Sequence, residues 1–161
     1  MTDPLVRAWQ RDILATGWAE DGLVYVGVFL SNMDKLRLIR KYGQTHGDLH
    51  AHHMTVWFHS DGEADKPDFS RLPWGKDVAL KVVGYVEDDK AQAVVVQPPT
   101  ILRPAGRIPH ITISTAPGVT PLYSNELARR RHGEPVRGAP SIKGKVGWYG
   151  ADGRVYLTAP M

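Results

Sequence analysis

Apolar positions follow two periods along this chain, and each period predicts a different element. Leu23–Leu30 (LVYVGVFL) is an apolar run rich in β-branched and aromatic residues, which predicts a buried strand. His53–Phe58, Asp77–Glu87, Ala91–Gln97, Ile108–Thr115, Ile142–Tyr149 and Arg154–Thr158 read as further strands. Asp88-Asp89-Lys90 and Ala151-Asp152-Gly153 join two pairs of them as hairpin turns. Helical spacing links Leu5, Val6, Trp9, Ile13 and Leu14, between Asp3-Pro4 as a start signal and Gly17 as a stop. A second helix is predicted at about Met33–Tyr42, behind the capping residues Ser31 and Asn32. Its inner stripe reads as Leu36, Ile39 and Tyr42, and Gly43 ends it. Asn125–Arg131 has room for one or two helical turns. Gln44–His50, Ser60–Trp74 and Pro98–Gly106 carry the polar residues and breakers of connections.

About seven strands with few crossover helices argue for an α+β fold with mostly antiparallel pairing, not a doubly wound parallel sheet. The 161 residues suit one domain, 1–161. The absence of cysteine excludes disulfides, thiolate nucleophiles and Cys-based metal sites. No GxGxxG or Walker A pattern is present, so phosphate cradles of those kinds are not expected. The formal charge of +3 suits an anionic ligand such as a nucleotide or RNA end. No apolar stretch is long enough to span a bilayer, and the first residues lack a signal-peptide core; a cytoplasmic protein is expected.

Two segments share one pattern: His53-Met54-Thr55-Val56 and His110-Ile111-Thr112-Ile113, each within a predicted strand. In a strand, residues two apart point to one face. His53 therefore shares a face with Thr55, and His110 with Thr112, while the apolar residues between them turn to the core. Imidazoles titrate near neutral pH, so one can accept a proton while the other donates one. Hydrolysis of a cyclic phosphodiester needs both acts: a base for the attacking water and an acid for the leaving ribose oxygen. The threonine hydroxyls can hold the non-bridging oxygens. This chemistry uses no metal and no cofactor.

With these motifs the chain resembles the 2H phosphoesterase superfamily, named for its paired His-x-Ser/Thr motifs. The segment from His110 to Val119 (HITISTAPGV) is similar to the second motif of the cyclic phosphodiesterase domains of plant and fungal tRNA ligases, and Asn125 and Leu127 continue the likeness. The likeness extends over about Tyr25 to Leu127. It implies a bilobal fold: two mostly antiparallel sheets with flanking helices, each bringing one motif strand to a central cleft. It also implies hydrolysis of a 2′,3′-cyclic phosphate on a nucleotide or RNA end, with His53, Thr55, His110 and Thr112 as catalytic residues. Members of the superfamily also act on other cyclic nucleotides, so hydrolysis of a cyclic oligonucleotide or signalling nucleotide is a second expectation. Binding of a nucleotide without catalysis is a third.

Further residues have weaker claims. Trp57 falls on the face of His53 and Thr55 and could stack on a base; Tyr123, Trp148 and Tyr149 are comparable candidates. Ser114 continues the face of His110 and Thr112 and could touch phosphate. His46, His50, His52 and His53 form a histidine-rich tract that could bind metal, although a polar loop is the expected role. His52, next to His53, should point the opposite way.

Overall fold

The computed structural model describes residues 22–131 and 134–160. The helix expected between Asp3 and Gly17 lies outside them. Among the described residues, nine strands alternate with two α-helices: β1 (Leu23–Leu30), α1 (Asn32–Tyr42), β2 (Asp48–Leu49), β3 (His53–Phe58), β4 (Asp77–Glu87), β5 (Ala91–Gln97), β6 (His110–Thr115), α2 (Tyr123–Arg131), β7 (Glu134–Pro135), β8 (Ile142–Gly150) and β9 (Val155–Tyr156). The mixed α+β class and the antiparallel pairing agree with the periodicity. Among the described residues no helix is long and apolar enough to cross a membrane.

All nine strands belong to one hydrogen-bonded sheet, in the order β7-β4-β5-β6-β3-β1-β8-β9, with β2 on β6. β8 also pairs with the first part of β4, Asp77↔Lys145 to Leu80↔Ile142, so the path closes into a ring of six strands. Two separate sheets were expected. They are joined because the segment from β2 to β3 changes partner: it leaves β6 and runs onto β1, and β3 touches β6 through the single pair Met54↔Ile111.

The ring encloses the main core. Val26 and Val28 of β1, Met54 of β3, Leu80 and Val82 of β4, Val94 and Val96 of β5, Ile111 and Ile113 of β6, and Ile142 and Val146 of β8 all meet there, with Leu38 from α1. A smaller cluster lies on the other face of β5, where Ala93 and Val95 pack under Leu127 and Ala128 of α2.

α1 starts where Ser31 accepts a hydrogen bond from the Asp34 amide, and it ends at Gly43, whose φ of 73° suits glycine. Its inner stripe keeps two of the expected residues, Ile39 and Tyr42, which pack against the core, and differs at the third. Leu38 is buried and Leu36 is exposed, because the stripe begins at Asp34. The Asp34 carboxylate accepts from the Ser31 hydroxyl at 2.9 Å and from Arg37 at 3.3 Å, so a polar residue occupies an inward position without an unmet partner.

Candidate active site

Each His-x-Thr motif lies on a strand that is interrupted at the same step. Along β3, Thr55 pairs with Gly27 and Trp57 with Val26, which leaves Val56 as an extra residue. Along β6, Thr112 pairs with Ala93 and Ser114 with Gln92, which leaves Ile113 extra. The fourth residue of each motif is thus a β-bulge, and beyond it the two-residue alternation is lost. Before the bulge the alternation holds. Met54 and Ile111 are fully buried, while His53, Thr55, His110 and Thr112 are each partly exposed. Since Met54 pairs with Ile111, the four polar residues flank one rung and share the face away from the main core.

The bulges correct two sequence expectations. Trp57 is 3% exposed; its indole donates to the Gly62 carbonyl at 3.1 Å and its ring meets Phe69 edge-on. The connection after β3 folds back to cover it, so it has no face for a base. Ser114 is fully buried; its hydroxyl donates to Gln92 at 2.6 Å and accepts from the His46 amide at 3.2 Å. Trp148 does not face the motif histidines. It pairs with Val26, a core residue, so it faces the opposite side from His53; its ring stacks on Tyr156 at 4.3 Å and its indole donates to Thr158. The Tyr123 hydroxyl donates to Asp88 in the β4–β5 turn, with Lys90 and Arg130 over its ring. Tyr149 pairs with Tyr25 and stacks on it at 5.1 Å.

Tyr25 brings Tyr149 to the site. Its ring stacks on the His53 imidazole at 4.7 Å, and its hydroxyl lies 3.4 Å from Nδ1 of His53. Burial, reinforced by Tyr149, pushes the phenol of Tyr25 far up, so it remains a hydrogen-bond donor. Phe29, paired with His53, lies 5.8 Å away. The sequence reading took Tyr25 as one more apolar residue of β1; its hydroxyl among aliphatic neighbours was the available signal.

His52 lies against His53 instead of opposing it. Between the pairs Leu49↔Ser114 and Met54↔Ile111, this segment advances five residues against three on β6. The extra length is taken up at Ala51, the one non-glycine among the described residues with positive φ, 61°. The turn stacks the His52 and His53 rings at 4.9 Å, with their Nδ1 atoms 2.8 Å apart. Of the rest of the histidine tract, His46 meets Thr45, while buried His50 meets the Thr115 hydroxyl at 3.0 Å and the His52 ring edge-on at 6.0 Å.

Burial first, then the charges of His52, His110 and His50, hold His53 well below the ordinary imidazole range. His110 is therefore near enough to be felt by His53. Burial also lowers His110, against a hydrogen bond to Ile108 that raises it and with the help of the Arg107 charge. His110 Nδ1 lies 2.9 Å from the Ile108 carbonyl. A carbonyl only accepts, so the neutral ring carries its proton on Nδ1 and leaves a lone pair on Nε2. Beyond Thr112, its hydroxyl donates to Ser124 of α2 at 2.9 Å. Arg107 pairs with Asp61 and lies over Phe58, tying the end of β3 to the approach to β6. Ser124 and Arg107 extend the site beyond the two motifs.

A solved structure described as a fungal RNA kinase matches 84% of this chain with a TM-score of 0.50 and 16% identity, a likeness of fold alone; the chain spans 44% of that protein's length. Comparison with curated proteins gave no match. The family model described as the fungal tRNA ligase phosphodiesterase domain matches residues 37–145, which take in both His-x-Thr motifs. That match covers more than half of the sequence and shows that the chain belongs to the fungal tRNA ligase phosphodiesterase domain family.

Proposed function

We propose that this protein is a phosphodiesterase that opens a 2′,3′-cyclic phosphate on a nucleotide or RNA end, with His53 and His110 as the acid–base pair. The observation that carries this reading is the single rung Met54↔Ile111, which sets the two motifs side by side with both imidazoles on one face. The family likeness supports the reaction class.

The hydrogen bonds favour a division of labour. His110, with its proton held on Nδ1 by Ile108, presents the Nε2 lone pair of a base. His53 has the Tyr25 phenol and His52 at its Nδ1, which suits a ring that accepts there and carries its proton on Nε2. Water attacks phosphorus and gives its proton to His110 Nε2. The bond from phosphorus to one ribose oxygen breaks, and His53 Nε2 returns a proton to that oxygen. The product is a phosphomonoester beside a free hydroxyl. Thr55 holds a non-bridging oxygen, Thr112 holds another by turning its hydroxyl proton from Ser124 to the phosphate, and Tyr149 offers its ring to the base.

Hydrolysis of adenosine 2′,3′-cyclic phosphate tests this. His53→Ala and His110→Ala should each lower kcat by about 100-fold or more while the circular dichroism spectrum is retained. Wild-type turnover in either variant would refute the assignment. A panel including cyclic di- and trinucleotides separates this substrate class from the signalling nucleotides, and recovery of every ligand unchanged would indicate binding alone.

A further inference from the structure

His53 sits in a position that suits a proton donor poorly. Its ring is enclosed by Tyr25, Phe29 and His52, and burial disfavours the imidazolium that an acid must supply. His52, in contrast, is exposed. The two Nδ1 atoms face each other at 2.8 Å, hydrogen-bond distance. Two lone pairs do not attract, so one of these atoms carries a proton toward the other.

We propose that His52 is a positioning residue that feeds protons to His53 through their paired Nδ1 atoms. The inference rests on the acid role given to His53 above. In the acid step, His53 Nε2 gives its proton to the leaving ribose oxygen as His53 Nδ1 takes the Nδ1 proton of the His52 imidazolium. The leaving alkoxide becomes a hydroxyl, His52 becomes neutral, and His53 stays neutral in its other tautomer. When product leaves, His53 takes a proton at Nε2 from water and returns its Nδ1 proton to His52. The enclosed ring passes charge without storing it. The left-handed Ala51 is what turns His52 onto His53.

The groups that bear on this titration come from every side. Tyr25 approaches from β1 with Tyr149 of β8 behind it, His110 approaches from β6, and His50 lies on the same segment as His52. Tyr25 stays a phenol, so the proton reaching Nδ1 comes from His52.

The test compares wild type, His52→Ala, His52→Gln and His53→Ala on adenosine 2′,3′-cyclic phosphate across pH. Both His52 variants should lose about tenfold in kcat, less than the ~100-fold expected of the acid itself, with little change in KM. The wild-type fall in kcat at high pH should vanish in both His52 variants, and imidazole in the buffer should restore His52→Ala. Without activity, ¹H–¹⁵N spectra of the imidazoles should place the neutral His53 proton on Nε2, and His52→Gln should move His53 titration upward. Wild-type kcat and pH profile in both His52 variants, alongside an inactive His53→Ala, overturn the relay and leave the proposed function standing. An active His53→Ala overturns both.

Discussion

Replacing Gln92 by Met removes an amide that ties four groups together where no solvent reaches the side chain. Gln92 is fully buried. Its oxygen accepts from the Thr45 amide at 3.2 Å and the Ser114 hydroxyl at 2.6 Å; its nitrogen donates to the Gly43 carbonyl at 2.9 Å and to that of Tyr42 at 3.3 Å. Methionine keeps the length and flexibility of the chain, so packing changes little. Thr45 is exposed and Tyr42 and Gly43 are partly so, and water can replace most of what those three lose. The Ser114 hydroxyl is fully buried and loses its acceptor. That orphan costs about 1–3 kcal/mol, and the remaining bonds about 0.5–1 kcal/mol each before water offsets them. The expected loss is therefore about 2–4 kcal/mol. Urea unfolding followed by tryptophan fluorescence should show the midpoint falling by roughly 1–2 M. Ser114→Ala in the same background removes the orphan, so the double variant should be more stable than the sum of the two singles predicts, by about 1 kcal/mol. A loss under about 0.5 kcal/mol, or strict additivity, would refute the reasoning.

Three other outcomes follow from the geometry. Arg107→Met removes the charge that lowers His110, so the base releases its proton at higher pH and the acid limb of kcat/KM should move upward; a downward or absent shift contradicts this. Gly27→Ala places a Cβ 2.8 Å from the carbonyl of Met54, the residue of the inter-motif rung, and should lower stability by about 1–3 kcal/mol; an unchanged Tm contradicts it. His53 and His110 are both lowered in the folded protein, so the unfolded chain binds their protons first. Their contribution is complete above pH 6.5 and is lost as pH falls below it, and urea midpoints of His110→Gln against wild type should converge toward acid pH.

Hairpins and strands were readable because their signals are local. Asp88-Asp89-Lys90 and Ala151-Asp152-Gly153 mark turns, and the runs beside them form strands at nearly the expected bounds. The His-x-Thr spacing was readable for the same reason: up to its third residue each motif obeys the strand period. The bulges at Val56 and Ile113 have no such signal, since both are ordinary strand residues whose missing partner is a property of the neighbouring strand. Trp57 and Ser114 therefore fell on the wrong face. The facing of Trp148 depends on pairing with Val26, 122 residues away in the chain, which no local pattern reveals. The inner stripe of α1 was only partly readable because it starts with Asp34, a charge that Ser31 and Arg37 satisfy.

The paired bulges also limit what each motif strand can contribute. Each shows the outer face one imidazole and one hydroxyl before the chain turns back among apolar neighbours. Under the proposed function, reactivity is confined to a short, duplicated cassette, and choice of base or sugar would fall to parts outside it: the tyrosines of β1 and β8, the start of α2 and the Arg107 approach. On that reading, changes at those borders would alter ligand preference and leave the proton chemistry as it is.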